Sequence, residues 1–513
     1  MLARVHASSL RGIDALPVVV EAEFTGGLPG VDIIGLPEAA VRESRVRVRA
    51  ALDANGYVLP KKRLLLNLAP GDLKKNGASF DLAMAVAILV AGGSCAPNLL
   101  EELVLVGELS LSGELRSVRG ALAHIRSVQR SGARQIVVPT ANAAETALAD
   151  EARVLTATHL KEVVDYLCGR GFLGAGMAAT MRPTTTGTPA AQDDFADVRG
   201  QHSARRALEI AATGPHHVLM LGPPGSGKTM LARRLPSILP PPSTTEALDI
   251  ATIAGGAGVD GGARSGERPF RAPHHQASPV AMIGGGDPVR PGEVTLAHGG
   301  VLFLDELPEF QRSAIEGLRI SMEEGAVQVS RARERVLLPA RSLVVGAMNP
   351  CPCGHAGSTK RMCTCSPERV ERYRNRVSGP ILDRFDIHLF VPAMDTRAMR
   401  SAAPGEASAD MRARVEAARE RSRRAGGRRL RTLRALTPLC TRGALAMLDH
   451  AFEKLGLSAR GYVKALSVAR TIADLAGAEL ADESHMAEAI QYRVFDRRVG
   501  DQRPAEAEKG RGP

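Results

Sequence analysis

Eight consecutive residues, Gly222-Pro223-Pro224-Gly225-Ser226-Gly227-Lys228-Thr229, combine the side-chain types that a phosphate chain requires. Glycines at this spacing let backbone N–H groups converge on anionic oxygens, at the positive end of a helix starting near Lys228. Lys228 would neutralise phosphate charge and the Thr229 hydroxyl would hold Mg²⁺. The apolar residues Val218, Leu219, Met220 and Leu221 predict a short buried strand feeding this loop. In that strand–loop–helix context the expected ligand is ATP.

A second apolar run, Val301 to Leu304, ends in Asp305-Glu306. A strand of this kind delivers both acids to the C-terminal edge of a parallel sheet, where ligands bind. Asp305 would hold Mg²⁺ through water, and Glu306 would orient the attacking water. Two bare carboxylates at a strand end are hard to explain without a metal or a substrate.

Four cysteines form two C-x-C pairs, Cys351/Cys353 and Cys363/Cys365, nine residues apart. They can present four thiolates to one tetrahedral Zn²⁺, with His355 as a spare ligand. The competing reading is four free thiols in a surface loop. A site of four thiolates has no open coordination position, so any role is structural rather than catalytic.

These groups need elements to hold them. At 513 residues the chain predicts on the order of three domains. Residues 1–170 read as α/β, with strands at 18–24, 63–69 and 135–139, a helix at 37–55 and a buried helix at 80–89. Residues 171–192 have a Gly, Ala, Thr and Pro linker composition. Residues 193–395 carry the phosphate and carboxylate motifs, with further strands at 342–348, ending at Asn349, and at 387–391, and a hairpin with a basic tip at 327–336. Residues 396–411 read as a polar joint within 396–500, where helices are expected at 441–455, 459–477 and 482–493. Residues 501–513 read as a polar disordered tail.

No apolar run approaches the ~18 residues of a membrane span, and the N-terminus has no secretory pattern. Seven cysteines, four of them clustered, suit a reducing cytosol, so the expected location is cytoplasmic. The formal charge is +11, and Arg412, Arg414, Arg419, Arg421, Arg423, Arg424, Arg428, Arg429, Arg431 and Arg434 fall in one stretch. This points either to a polyanion such as DNA or to a solvated helix face beside a basic loop. With 3% aromatics and no tryptophan, base stacking is a poor expectation and backbone electrostatics a better one.

The order Asp197-Val198-Arg199-Gly200-Gln201, helix, phosphate loop, Asp305-Glu306 is similar to that of the AAA+ ATPases. The runs Arg268-Pro269-Phe270-Arg271-Ala272-Pro273-His274-His275 and Arg331-Ala332-Arg333-Glu334-Arg335 resemble the Mg-chelatase-like AAA+ branch, and specifically the YifB/ComM family. The resemblance runs through nearly the whole chain. The implied fold is α/β: an N-terminal Lon-protease-like domain, a central AAA+ P-loop NTPase domain with a parallel sheet, and a C-terminal helical lid.

The resemblance also implies roles. Asp197–Gln201 would lie against the adenine, and Asn349 would be a polar sensor, the alternative being a strand-end turn. Arg384 would reach the γ-phosphate of a neighbouring subunit, with Arg376 as its rival. Arg460 would contact the γ-phosphate from the lid, the alternative being a surface arginine after an N-cap serine. His274 and His275 read as loop-packing residues. Ser79, in Lys75–Asp81, is similar to the Lon-type nucleophile, but the partner lysine position falls near His124, so proteolysis is not expected. A trans arginine makes a homo-oligomer, a hexameric ring, the natural assembly. The implied activity is ATP-driven remodelling of single-stranded or branched DNA, as in branch migration during transformation. A chelatase-type motor acting on a metal-inserting partner and a Lon-like protease are the alternatives.

Overall fold

A computed structural model of the chain describes residues 1–36, 38–75, 77–95, 99–146, 153–175, 193–259, 267–331, 334–357, 361–393, 403–426 and 432–493. The first large sheet has eight strands, ordered Gly174–Ala175, Arg153–Ala157, Gln135–Pro139, Leu103–Leu105, Ala3–Arg11, Asp14–Thr25, Arg63–Ala69, Gly30–Ile34. It is mixed: Ala3–Arg11 runs antiparallel to Asp14–Thr25 and parallel to Leu103–Leu105. The helix Asp81–Ala91 is buried from Asp81 to Val90, as its uninterrupted apolar sequence requires. The strands expected at 63–69 and 135–139 are present. The central strand Ala3–Arg11 was not expected. It carries Ser8 and Ser9 on buried positions, which breaks the apolar pattern that sequence reading depends on.

The second sheet has five strands in the order Phe270–Arg271, Val301–Leu304, Leu343–Met348, Val218–Leu221, Ile387–Phe390. Every neighbouring pair is parallel. Val301–Leu304 and Leu343–Met348 are buried at every position, because helices cover both faces of a parallel sheet. The hairpin is longer than expected, Ala326–Arg331 with Glu334–Pro339. Among the described residues no helix is long and apolar enough to cross a membrane.

The C-terminal helices Arg442–Leu455, Ala459–Ala476 and Glu483–Gln491 share one hydrophobic core with the second sheet, including Val218, Val345, Ile387, Leu466 and Met486. The polar joint expected through 411 is corrected at its end: a helix, Ser408–Arg424, begins there and buries Met411 and Val415. The remaining joint residues 396–402, linker residues 176–192 and the tail 501–513 lie outside the described residues.

That helix uses much of the arginine run internally. Arg414 Nε donates to Glu209 at 2.6 Å, Arg419 Nε to the Ala212 carbonyl at 3.0 Å, and Arg421 Nε to the Asp474 carbonyl at 2.7 Å. Arg423 and Arg424 pair with Glu420. The first three tie the helix to the rest of the fold, Arg423 and Arg424 form exposed pairs within the helix itself, and Arg428, Arg429 and Arg431 lie outside the described residues.

Candidate functional site

The Val218–Leu221 strand ends where the phosphate loop must turn sharply. A Cβ on Gly222 would stand 2.2 Å from the Val391 carbonyl oxygen, and Gly225 and Gly227 have φ of +73° and +92°. Only glycine meets both demands at no steric cost. Lys228 opens the helix Lys228–Ile238, and its Nζ donates to the carbonyls of Gly222 (2.7 Å) and Pro223 (3.0 Å) and to Asn349 Oδ1 (3.2 Å). Burial lowers the lysine's pKa, opposed by the charges of Asp305 and Glu306. The sheet order explains the meeting with Asn349, since the strand ending there lies directly beside the phosphate-loop strand.

Thr229 Oγ1 donates to Asp305 Oδ2 at 2.8 Å. A hydroxyl and a carboxylate oxygen side by side are the hard donors Mg²⁺ takes, so the residues present fit that ion. Glu306 has φ +52° and is about half exposed, pointing away from the buried strand that carries it. Gln201 Nε2 donates to the carbonyls of Ser226 (3.3 Å) and Pro392 (3.1 Å), tying the Asp197–Gln201 turn to the loop.

One partner was missed in the sequence. His275 Nδ1 lies 3.4 Å from Glu306 Oε2, so this histidine meets the carboxylate instead of serving only as loop packing. Nothing in its spacing marks it, because the contact depends on the Phe270–Arg271 strand pairing with Val301–Leu304. The arginines of the same run are clamps. Arg271 holds Glu293 through two bonds of 2.7 Å, and Arg268 spans the Pro240 carbonyl (2.6 Å) and Glu246 (3.1 Å).

Arg384 and Arg460 stand at the opposite edge of the sheet. Val218 pairs with Ile387 and Leu221 with Phe390, so Arg384 precedes its strand while Gly222 follows its own. Four residues of strand, roughly 13 Å, separate the two edges. Arg384 is buried, donating to the Pro380 carbonyl at 2.5 Å and to Glu323 at 2.6 Å. Arg460, expected to reach phosphate from the lid, pairs with the same Glu323 at 3.2 Å. It therefore keeps company with Arg384 and not with the phosphate loop of its own chain. The rival Arg376 is exposed and pairs with Glu309 at 2.7 Å, on the side of Glu306.

The four cysteines meet directly after Asn349. Their sulfurs all lie within 4.8 Å of one another, with Sγ–Sγ distances of 3.3, 3.6 and 3.5 Å for 351–353, 351–363 and 353–363. A tetrahedron of Zn–S bonds of about 2.3 Å needs sulfurs roughly 3.8 Å apart, so the set fits the ion. The Ala356 N–H donates to Cys351 Sγ at 3.2 Å. The backbone N–H groups of His355 and Thr364 pull the Cys353 thiol down to about 5, whereas for Cys363 and Cys365 the pull of a backbone N–H on each is outweighed by burial and by the sulfurs of Cys353 and Cys351, which push both thiols up. Gly354 sits so close to Pro224 that a Cβ there would be 2.5 Å from the proline ring, which sets the cysteine loop against the phosphate loop.

In the first sheet's unit the protease-like residues do not assemble. His124 is buried, its Nδ1 2.7 Å from Ser8 Oγ, and burial lowers its pKa to about 4. Lys75 is buried with its Nζ on the Pro70 carbonyl, and Asp81 is held by Arg47 at 2.9 Å. Among the described residues no hydrogen bond joins Ser79 to a histidine or a lysine.

Three family models match in succession: "Subunit ChlI of Mg-chelatase" over residues 20–142, "Magnesium chelatase, subunit ChlI" over 194–399, and its C-terminal region over 405–493. The chain is 43% identical to the protein YifB of Salmonella typhimurium, covering 97% of this chain and 98% of that one. It is 39% identical to the competence protein ComM of Haemophilus influenzae, over 97% and 98%. A magnesium-chelatase 67 kDa subunit of Chlorobaculum parvum matches at 30% over 162 residues, 30% of this chain and 23% of that one.

Proposed function

Because the chain belongs to the magnesium-chelatase-like ATPase family that includes YifB and ComM, we propose that it is an ATP-driven ring motor that remodels DNA. The observation that carries the ATPase half is the convergence of Lys228, Thr229, Asp305 and Asn349 at one sheet edge, with Glu306 beside them. Mg²⁺ held by Thr229 and Asp305 would screen charge between the phosphates. Lys228 would turn from the loop carbonyls to the phosphate oxygens, Asn349 would follow it, and Glu306 would orient water for attack. His275 would hold Glu306 in place.

The two edges support the ring reading. Arg384 and Arg460 cannot reach their own chain's phosphate loop across the sheet, so in this reading both serve the nucleotide of a neighbouring subunit, six subunits closing the ring. An arginine supplied in trans is worth roughly 10³–10⁵ in rate. Glu323 holds the two in reserve until the neighbour docks. Structural Zn²⁺ on Cys351, Cys353, Cys363 and Cys365 would brace the cysteine loop against Pro224.

The DNA half is supported by the relationship to the competence protein ComM and by the net positive charge. Branch migration or unwinding of recombination intermediates is the proposed task. ATPase activity measured with no polymer, linear DNA, a four-way junction and an unfolded protein tests it, with Lys228→Ala as control. Stimulation by the junction that falls steeply with salt is expected. Stimulation by unfolded protein alone would overturn the DNA assignment.

A further inference from the structure

The first sheet's unit and the ATPase part meet at the foot of the Ala326–Pro339 hairpin. The turn between the strands Ala3–Arg11 and Asp14–Thr25 enters the ATPase core, where Ile13 joins Ile253, Val336 and Leu338 in one buried cluster. Gly256, near the end of the helix Thr244–Ala257, is packed so closely that a Cβ there would be 3.3 Å from the Gly12 carbonyl oxygen. Arg11 Nη2 donates to the Arg335 carbonyl at 3.2 Å. This junction is closed by side-chain and backbone packing, so the charges around its rim keep fixed relative positions.

Arginines dominate those charges, although the turn also carries the exposed Asp14. Arg119 lies against Gly258, whose Cβ would be 3.0 Å from the arginine Cδ, and Arg290 stands on the strand Arg290–Pro291, whose partner Gly284 would put a Cβ 3.4 Å from Leu338 of the same cluster. Burial first, and then the Arg290 charge, lower the Arg119 pKa. Arg335 stands on the hairpin above Arg11. Arg119, Arg290 and Arg335 are all exposed, and among the described residues none of them has a carboxylate partner. Three acids on the adjoining elements are already engaged: Asp249 with Arg126 at 3.0 Å, Asp287 with Lys74 at 2.8 Å and Glu145 with Asn142 at 3.0 Å. Gathering three guanidiniums from separate elements, none paired to a carboxylate among the described residues, costs repulsion, which an anionic ligand would relieve.

We propose that Arg119, Arg290 and Arg335 form one binding surface for the sugar-phosphate backbone of a nucleic-acid strand, so that the protease-like unit contributes half of the DNA site. The inference rests on the DNA reading above and assigns where that DNA is held. Guanidinium matches phosphate geometry, and the scarcity of aromatics leaves the backbone, not the bases, as the part recognised.

The test is fluorescence anisotropy of a labelled oligothymidine strand with the full-length protein, across a salt series, beside a labelled polyglutamate peptide of equal charge. The Arg119→Ala/Arg290→Ala/Arg335→Ala variant should bind at least about tenfold more weakly near 0.15 M salt, and its log–log salt slope should be shallower by about 2, as expected for losing three phosphate contacts on a single strand. DNA-free ATPase should be unchanged. Replacing the three with lysine should restore most of the slope, since lysine also releases counterions on binding phosphate. If the wild type binds the strand and the alanine variant keeps the same slope, the surface is wrong while the DNA reading stands. If the wild type ignores the strand at low salt, or prefers the peptide, the DNA reading falls and this site falls with it.

Discussion

Arg384 and Arg460 share one acceptor: both guanidiniums meet the same oxygen of Glu323, at 2.6 and 3.2 Å, on the sheet edge opposite the phosphate loop. Two residues that the resemblance assigns to different tasks, one in trans and one from the lid, are thereby placed on one face of the chain. Arg384→Ala should keep nucleotide affinity and lose roughly 10³-fold or more in ATPase rate. Mixing it with Glu306→Gln should restore activity, because one subunit offers an intact site and its neighbour an intact arginine. Mixtures that stay as inactive as the separate variants would exclude a trans role.

At the nucleotide edge, Lys228→Ala should abolish ATP binding measured with a fluorescent analogue. Glu306→Gln should bind ATP normally and hydrolyse it about 10²–10⁴ times more slowly, the usual contribution of a positioned proton acceptor. His275→Ala should fall between wild type and Glu306→Gln in rate with unchanged affinity. Weakened ATP binding in His275→Ala would assign this histidine to nucleotide contact instead.

The cysteine loop should carry about one equivalent of zinc after purification without chelator, measured by elemental analysis. Cys363→Ser should lose the metal and, because the loop lies against Pro224, weaken ATP binding as well. Less than about 0.2 equivalents in the wild type would mean four free thiols.

Asp386, next after Phe385, forms a buried ion pair with Lys464 of the C-terminal helices at 2.9 Å and accepts the His217 N–H at 2.8 Å. Although burial opposes it, the Lys464 charge holds the carboxyl well below the usual carboxylate range. A depressed carboxyl pKa stabilises the fold above the ordinary value near 4, and the stabilisation is lost as pH falls toward the folded value. Lys464→Met should cost about 3–5 kcal/mol at neutral pH by stranding the charge, seen as a lower thermal midpoint. The deficit should shrink as pH falls through the variant's carboxyl pKa, which burial without the lysine lifts above the ordinary value near 4; a deficit constant with pH would point to lost packing alone.

What the sequence by itself determined is what contiguous residues determine. The glycines and Lys228-Thr229 after an apolar strand, the acids after Val301–Leu304 and the two C-x-C pairs are local patterns, because each chemistry depends on residues a few positions apart. Helix and strand spans with regular apolar patterns were legible for the same reason, whereas Ala3–Arg11 was hidden by its buried serines. The tertiary structure decided everything that depends on strand order. It brought Asn349 onto Lys228 and His275 onto Glu306, put Arg384 and Arg460 at the far edge on Glu323, and tied Arg414, Arg419 and Arg421 to neighbouring elements. It also packed Ile13 of the first sheet's unit against Ile253, Val336 and Leu338 of the ATPase part. Such contacts follow from which strands pair and which helices cover them, and that is settled by burial of the whole apolar surface, not by any short run of residues.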